Sequence, residues 1–194
     1  MKVTIVGATP NPMEMASLAA GICYGKTNYS PKRVHHCVSL GHNTVIEHCV
    51  VTFVVEDISR DCSHQLVRHR IASYNQESQR YCRYDLKGDD WYVVPPSLDG
   101  DERYKNRRHQ EAMWYLTDLE MGIKAEDARY ELPGATKTKI IVTMNARSLF
   151  NFLDLRCDKA AQWEIRQLAD EVERLVSGIN DQWAELLSIR KEGK

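Results

Sequence analysis

Seven apolar residues near the C-terminus recur in steps of three and four along the sequence. They are Ile165, Leu168, Val172, Leu175, Ile179, Trp183 and Leu186. Because an α-helix completes a turn in about 3.6 residues, this spacing places all seven on one side of a helix. We therefore predict one long helix over residues 161–188, whose stripe packs in the core or at a subunit interface.

Two runs rich in β-branched residues predict strands elsewhere in the chain. The first, CVVTFVV, covers residues 49–55, and the second, KTKIIVTM, covers residues 137–144. Apolar spacing and capping residues predict the remaining elements. These are short strands at 2–7 and 91–94 and helices at 11–23, 31–40, 59–68, 101–129 and 146–155, with Asp57, Ser59 and Asn145 as candidate caps.

The length indicates a single domain. A chain of 194 residues can bury one sizeable core but is short for two domains. No repeat or linker interrupts the sequence. We predict a single α+β domain over residues 1–194, with a small, mostly antiparallel sheet, a helical layer and long C-terminal helices.

Composition argues against several classes of protein. The chain is 43% hydrophobic and 27% charged with a net charge of −1, so no global field favours nucleic acid or a membrane surface. No apolar run approaches the roughly 20 residues that cross a bilayer, and the N-terminal residues lack the core of a secretory signal. We expect a cytoplasmic protein with no membrane or nucleic-acid partner.

The cysteine and histidine spacing argues against disulfides and metals. The six cysteines are scattered without C-x-x-C spacing, which is typical of free thiols in a reducing compartment. The histidines and cysteines at residues 35–49 match no standard zinc pattern, so we expect no metal.

A polar segment with arginines at both ends, RHRIASYNQESQRY at residues 68–81, is the strongest functional signal. Its serine and asparagine side chains favour turns over helix interiors, which predicts an ordered loop after a helix. A guanidinium group fits phosphate or carboxylate oxygens in pairs. The loop is therefore a candidate cradle for a phosphorylated ligand, and the alternative is a solvated charged surface.

Several segments share a pattern with one enzyme family. They are GHNTVIEH at 41–48, SRDCSHQLVRHR at 59–70 with SQR following at 78–80, and NARSLFNFLDLR at 145–156 with AQWEIR at 161–166. In sequence and in order, these segments resemble the flavin-dependent thymidylate synthases. Five segments in the same order make the resemblance specific, whereas a single RHR would not.

The resemblance implies an activity. Members of that family methylate dUMP at carbon 5 to give dTMP, with 5,10-methylenetetrahydrofolate as one-carbon donor, NADPH as reductant and FAD as cofactor. The cofactor supplies the difficult chemistry, and the protein positions and polarises the reactants. The resemblance also implies a homotetramer, with sites shared between subunits.

The resemblance further assigns residues to dUMP, with Ser78 and Arg80 near its phosphate. Arg156 is the implied catalytic residue, facing the uracil ring, because a fixed guanidinium stabilises negative charge that develops beside it. The implied dUMP contacts are Gln65, Arg68, Gln76, Glu77, Ser78, Gln79, Arg80, Arg129 and Arg156.

A second set of residues is implied to contact the flavin. His42 is expected on the flavin and folate side of the site. The implied FAD contacts are Thr44, Glu47, Arg68, His69, Arg70, Ile71, Asn145, Arg147 and Asn151.

Each of these residues also has a purely structural interpretation. Ser78 fits a turn hydroxyl, and as a nucleophile it lacks an activating base nearby in sequence. Glu47 with His48 fits a solvated pair, His69 fits a structural histidine, and Asn145 fits the N-cap of its helix.

The two arginines of the segment at 145–156 raise a geometric question. Arg147 and Arg156 are nine positions apart, so they point to different sides of one straight helix. If both contact ligands, we expect different ligands or a second subunit that closes the site.

One position departs from the family pattern. Just before AQWEI the family often has a histidine, where this chain has Ala160. The difference puts one flavin contact in doubt and motivates an alternative, a non-catalytic flavin- or nucleotide-binding paralogue. A nucleic-acid-binding function is less favoured, because no array of basic and aromatic residues stands out.

Overall fold

The computed structural model describes residues 1–84 and 86–192. Within them, four strands form one sheet in the order β1-β2-β4-β3, and each neighbouring pair is antiparallel. The strands are β1 Lys2–Ala8, β2 Val50–Ser59, β3 Ser73–Gln76 and β4 Lys137–Asn145. The predicted α+β class with a small antiparallel sheet is confirmed.

Helices make up most of the remaining regular structure. They are α1 Pro12–Ile22, α2 Pro31–Ser39, α3 Arg60–Leu66, α4 Glu102–Glu120, α5 Ala125–Ala128, α6 Ala146–Arg156, α7 Trp163–Ser177 and α8 Asp181–Glu192. A 3-10 turn, Asn43–Ile46, precedes β2. Over the described part of the chain, no helix combines the length and apolarity needed to cross a membrane.

One face of the sheet packs against helices to form the main core. Alternate residues of the two central strands point into it, including Phe53 on β2 and Val142 on β4, both fully buried. Helices α1, α6, α7 and α8 contribute the opposing apolar side chains. The C-terminal stripe belongs to this core, because Ile165, Leu168, Val172, Trp183 and Leu186 are fully buried there.

The predicted C-terminal helix is in fact two helices. Helix α7 ends at Ser177, and α8 begins at Asp181. Asn180 starts the second helix, since its side-chain Oδ1 accepts a hydrogen bond of 3.0 Å from the backbone N–H of Trp183. Gly178, a poor helix former, lies in the break. The apolar spacing continues through the break, which is why periodicity alone predicted a single helix.

The predicted helix over residues 101–129 is also interrupted. Helix α4 ends at Glu120, and the short α5 follows. Gly122 adopts a φ of 85°, in the left-handed region that glycine enters without steric cost. The N–H of Ile123 then donates to the carbonyl of Asp118 at 2.9 Å, which closes the helix end.

The segment predicted as a loop at 68–81 contains a strand. Strand β3 pairs with β4 from Ser73 opposite Thr143 to Gln76 opposite Ile140. A short polar strand is typical of a sheet edge, and only the pairing with β4 identifies it. The strand predicted at 91–94 is reduced to a single bridge between Tyr92 and Thr136.

Strand β2 extends beyond its predicted end and leads directly into α3. A register shift lies between Val55 and Ile58, and Asp57 within it has a φ of 61°. The prediction of Asp57 as a cap is therefore wrong, because Asp57 belongs to the strand irregularity. Ser59 is the cap, and its Oγ accepts from the N–H of Cys62 at 2.9 Å. This junction sets the direction of α3, and thus of the arginines that follow it.

Candidate active site

A cavity of about 620 Å³ lies between the end of α3 and one face of α6. Its size is within the range of small-molecule and cofactor sites. The residues after α3 form one wall, and the start, face and end of α6 form the other. The lining comprises Glu47, Arg68, His69, Arg70, Ile71, Asn145, Arg147, Ser148, Asn151, Leu155 and Arg156.

Most of the residues assigned to FAD meet at this cavity. Of the nine, all except Thr44 line it, and their contact with FAD stays a prediction. Sequence reasoning missed Ser148 and Leu155. The signal for both was available, because they lie three before and four after Asn151, on the same helix face.

Arg147 and Arg156 line the same cavity, although the helix turns them apart. Ser148, Asn151 and Leu155 occupy the face that looks into the cavity, and the two arginines flank that face on opposite sides. The prediction of different sides is therefore correct, and the expectation of different ligands, or of a second subunit that closes the site, stays a prediction. Long side chains from both flanks reach one space.

Arg156 and His69 form a direct contact in the cavity wall. The Nε of Arg156 donates to the Nε2 of His69 at 3.0 Å. His69 is 6% exposed and meets Phe152 edge to face at a ring distance of 5.0 Å. Burial, and next the charge of Arg156, lower the pKa of His69 to about 4. The ring is therefore neutral at pH 7, which its role as acceptor requires.

Arg147 pairs with a residue outside its helix. Its Nη1 lies 2.6 Å from Oε1 of Glu47, which follows the 3-10 turn, and both side chains are partly exposed. Glu47 thus contacts Arg147, whereas the adjacent His48 is exposed. Asn145 caps α6, because its Oδ1 accepts from the N–H of Ser148 at 2.9 Å. The capping prediction is confirmed, and the same residue lines the cavity.

The cavity is electropositive. Four arginines, at 68, 70, 147 and 156, face one carboxylate, that of Glu47, and a neutral His69. Guanidinium groups at this density bind anionic ligands, most effectively phosphates. Ile71 and Leu155 add apolar surface on which a flat ring can rest.

Arg80 and Arg129, both predicted dUMP contacts, lie outside the lining of this cavity. Nε and Nη2 of Arg80 donate to Oε2 of Glu126 at 3.2 and 3.1 Å. The Nε of Arg129 donates to the backbone carbonyl of Glu126 at 3.0 Å. The two arginines therefore meet around Glu126, a residue that sequence reasoning missed.

The other predicted contacts are also outside the lining. Gln76 donates from Nε2 to Ser63 Oγ at 2.8 Å and to Thr138 Oγ1 at 3.1 Å. The hydroxyl of Ser78 accepts from the N–H of Arg80 at 3.3 Å, as a turn hydroxyl does. Gln79 is buried, Gln65 and Glu77 are half-buried, and His42 and Thr44 are exposed.

Two further observations concern cofactors and metals. Ala160 is exposed in the turn after α6, and its N–H donates to Asp158 at 2.7 Å. Over the described residues, no three His, Cys, Asp or Glu side chains are grouped to hold a metal ion. The cysteines at 23, 37, 49, 62, 82 and 157 are free thiols.

Comparison with known proteins identifies the family. Residues 4–179 match the model of the thymidylate synthase complementing protein family. A flavin-dependent thymidylate synthase of Geobacter sulfurreducens is 45% identical over 92% of this chain and 83% of its own length. One of Pyrococcus furiosus is 40% identical over 87% of this chain and 76% of its own length.

A solved structure of similar fold supports the same family. Thymidylate synthase X of Helicobacter pylori, solved with FAD and dUMP, has a TM-score of 0.81 and 25% identity, covering 98% of this chain and 99% of its own. The chain therefore belongs to the family of flavin-dependent thymidylate synthases. The family and the enzyme class predicted from the sequence motifs are confirmed.

Proposed function

We propose that this enzyme converts dUMP to dTMP, with FAD as cofactor, 5,10-methylenetetrahydrofolate as one-carbon donor and NADPH as reductant. The observation that supports the proposal is the arginine-lined cavity of about 620 Å³. FAD and dUMP both present phosphates and flat rings. The four guanidinium groups and the apolar side chains of the lining match that chemistry.

The residues present fit a flavin dinucleotide. Arg68, Arg70 and Arg147 offer donors for a pyrophosphate, and Asn145 and Asn151 add polar groups that fix orientation. When bound, FAD supplies the redox chemistry that reduces the transferred one-carbon unit. The chain contributes binding and charge.

Arg156 is the residue that we assign to the uracil ring. Its Nε is engaged by His69, so the terminal nitrogens of the guanidinium remain to face a substrate. A guanidinium fixed in this way stabilises negative charge on the ring without giving up its proton. Since the hydroxyl of Ser78 accepts from the N–H of Arg80 as a turn hydroxyl does, we assign Ser78 to binding rather than nucleophilic attack.

The proposal includes an assembly with shared sites. Arg80 and Arg129 are assigned to dUMP but lie outside the main cavity of the single chain. A second subunit would bring further side chains to both places. We expect a homotetramer in the cytoplasm, with a mass four times the chain mass of 22.4 kDa in light scattering.

The decisive experiment is an assay for dTMP. Purified protein is mixed with FAD, dUMP, 5,10-methylenetetrahydrofolate and NADPH under low oxygen, and the nucleotides are separated by chromatography. We expect dTMP in the complete mixture and none when the folate is omitted. Binding of FAD or dUMP without dTMP would instead support the non-catalytic paralogue.

A further inference from the structure

The AQWEIR segment at 161–166 has no assigned role in the proposed reaction, yet the structure explains its residues. Gln162 caps α7, because its Oε1 accepts from the N–H groups of Glu164 at 2.9 Å and Ile165 at 3.1 Å. Ile165 is fully buried in the core. The Gln162 cap and the buried Ile165 together fix the first turn of α7. The side chain of Glu164, between them, points inward and is only 3% exposed.

Glu164 is held at the junction between β2 and α3. Its Oε1 accepts from the N–H of Ser59 at 2.7 Å, and its Oε2 accepts from the hydroxyl of Ser59 at 2.6 Å. The same hydroxyl oxygen accepts from the N–H of Cys62 and caps α3. One buried carboxylate therefore bonds twice to the residue that starts the helix before the cavity.

The position of Glu164 connects the two walls of the cavity. Helix α3 leads into Arg68 and the residues after it, whereas α7 follows the turn that begins after Arg156. Burial raises the pKa of the Cys62 thiol, Glu164 raises it further, and Arg156 lowers it. Both charged groups thus lie within electrostatic reach of one thiol.

We propose that Glu164 is a positioning residue for the active site, which sets the direction of α3 relative to the turn after Arg156. This inference rests on the proposed function for its kinetic consequence, but its structural consequence is independent of that function. A carboxylate is required here because both of its oxygens accept. In Glu164→Gln an amide nitrogen would face the Ser59 hydroxyl, whose hydrogen would lose its acceptor.

Two variants and two controls test the proposal. Glu164→Gln and Ser59→Ala each break the contact from one side. Glu171→Gln makes the same chemical change on the exposed side of α7, where Glu171 pairs with Arg174. Val172→Ala removes buried apolar volume from α7 and supplies a general destabilisation for comparison.

The first measurement is amide hydrogen exchange of the ligand-free protein, which does not depend on the activity. In Glu164→Gln and in Ser59→Ala, exchange over residues 60–71 should rise about tenfold, with little change in α8. Glu171→Gln should exchange as the wild type does. A rise spread evenly over the chain, as expected for Val172→Ala, or no rise at all, would overturn the inference.

The second measurement is steady-state kinetics with dUMP. We expect about a tenfold loss of kcat in Glu164→Gln, with a smaller change in KM. The double variant with Ser59→Ala should be no worse than the poorer single variant, because both remove one contact. If Val172→Ala lowers kcat equally, the role of Glu164 is only structural. If the wild type makes no dTMP, the proposed function fails, while hydrogen exchange still tests whether Glu164 stabilises α3 and the residues after it.

Discussion

The Nε of Arg156 donates a hydrogen bond of 3.0 Å to the Nε2 of His69, across the wall of an electropositive cavity. His69 is buried and neutral, so it orients the guanidinium without cancelling its charge. Arg156 ends α6, and His69 belongs to the RHR sequence after α3. This contact joins two segments that are 87 positions apart.

Replacement of Arg156 should affect turnover more than FAD binding. In Arg156→Ala we expect kcat to fall by about a hundredfold or more, since a fixed charge at the reacting ring is lost. FAD affinity, measured by flavin fluorescence, should fall less than about tenfold. Arg147→Ala, on the other flank of the same helix face, should show the opposite balance. Equal losses of turnover and FAD affinity in Arg156→Ala would contradict the role assigned here.

His69 makes the stability depend on pH. Its pKa is lowered from 6.5 to about 4 in the folded protein. As the pH falls from 6.5 towards 4, the unfolded chain binds a proton that the folded protein excludes, so the free energy of unfolding decreases. The contribution of this one residue is on the order of 3 kcal/mol.

Urea unfolding of His69→Gln at several pH values between 7 and 4 measures this contribution. Glutamine retains an acceptor for Arg156 but does not titrate, so the decline in stability should be shallower than in the wild type. His64→Gln, at an exposed position of α3, should follow the wild-type profile. Parallel profiles for His69→Gln and the wild type would rule out the mechanism.

Arg80 should recognise the phosphate of dUMP rather than its base. In Arg80→Ala we expect dUMP to bind at least about tenfold more weakly, while binding of deoxyuridine, which has no phosphate, is unchanged. Calorimetry with both ligands separates the two outcomes, and Arg83→Ala controls for removal of a nearby exposed arginine. The Arg80 pair with Glu126 is exposed, so stability should change by less than about 1 kcal/mol.

Asn145 should have two separable roles. Asn145→Ala removes the cap of α6 and should cost about 1 kcal/mol of stability. It should also weaken FAD binding, because the residue lines the cavity. Asn180→Ala removes the corresponding cap of α8, together with a hydrogen bond to the carbonyl of Pro10, and should cost at least as much without altering FAD affinity. If FAD affinity is unchanged in Asn145→Ala, the residue is a cap alone.

The sequence by itself determined the local elements and the family. Periodicity identified the buried stripe that contains Ile165 and Leu168, because a helix face that packs in a core must be apolar at each turn. Runs of β-branched residues identified β2 and β4, since such side chains pack well on a pleated sheet, and the alternating burial of both strands was visible only in the structure. Side-chain chemistry was sufficient to assign Asn145 as a cap, since capping depends on residues within one turn, but it offered both Asp57 and Ser59 for α3, and only the structure selected Ser59.

The features that depend on contacts between distant segments were decided only by the tertiary structure. Strand β3 exists because β4 offers a free edge, and no local pattern shows that edge. The helix breaks at Gly122 and Gly178 were not predicted from the sequence, since the apolar spacing continues beyond each of them. The partners of Arg156, Arg147 and Arg80 are 46 to 100 positions away, and packing of whole elements determines such distances.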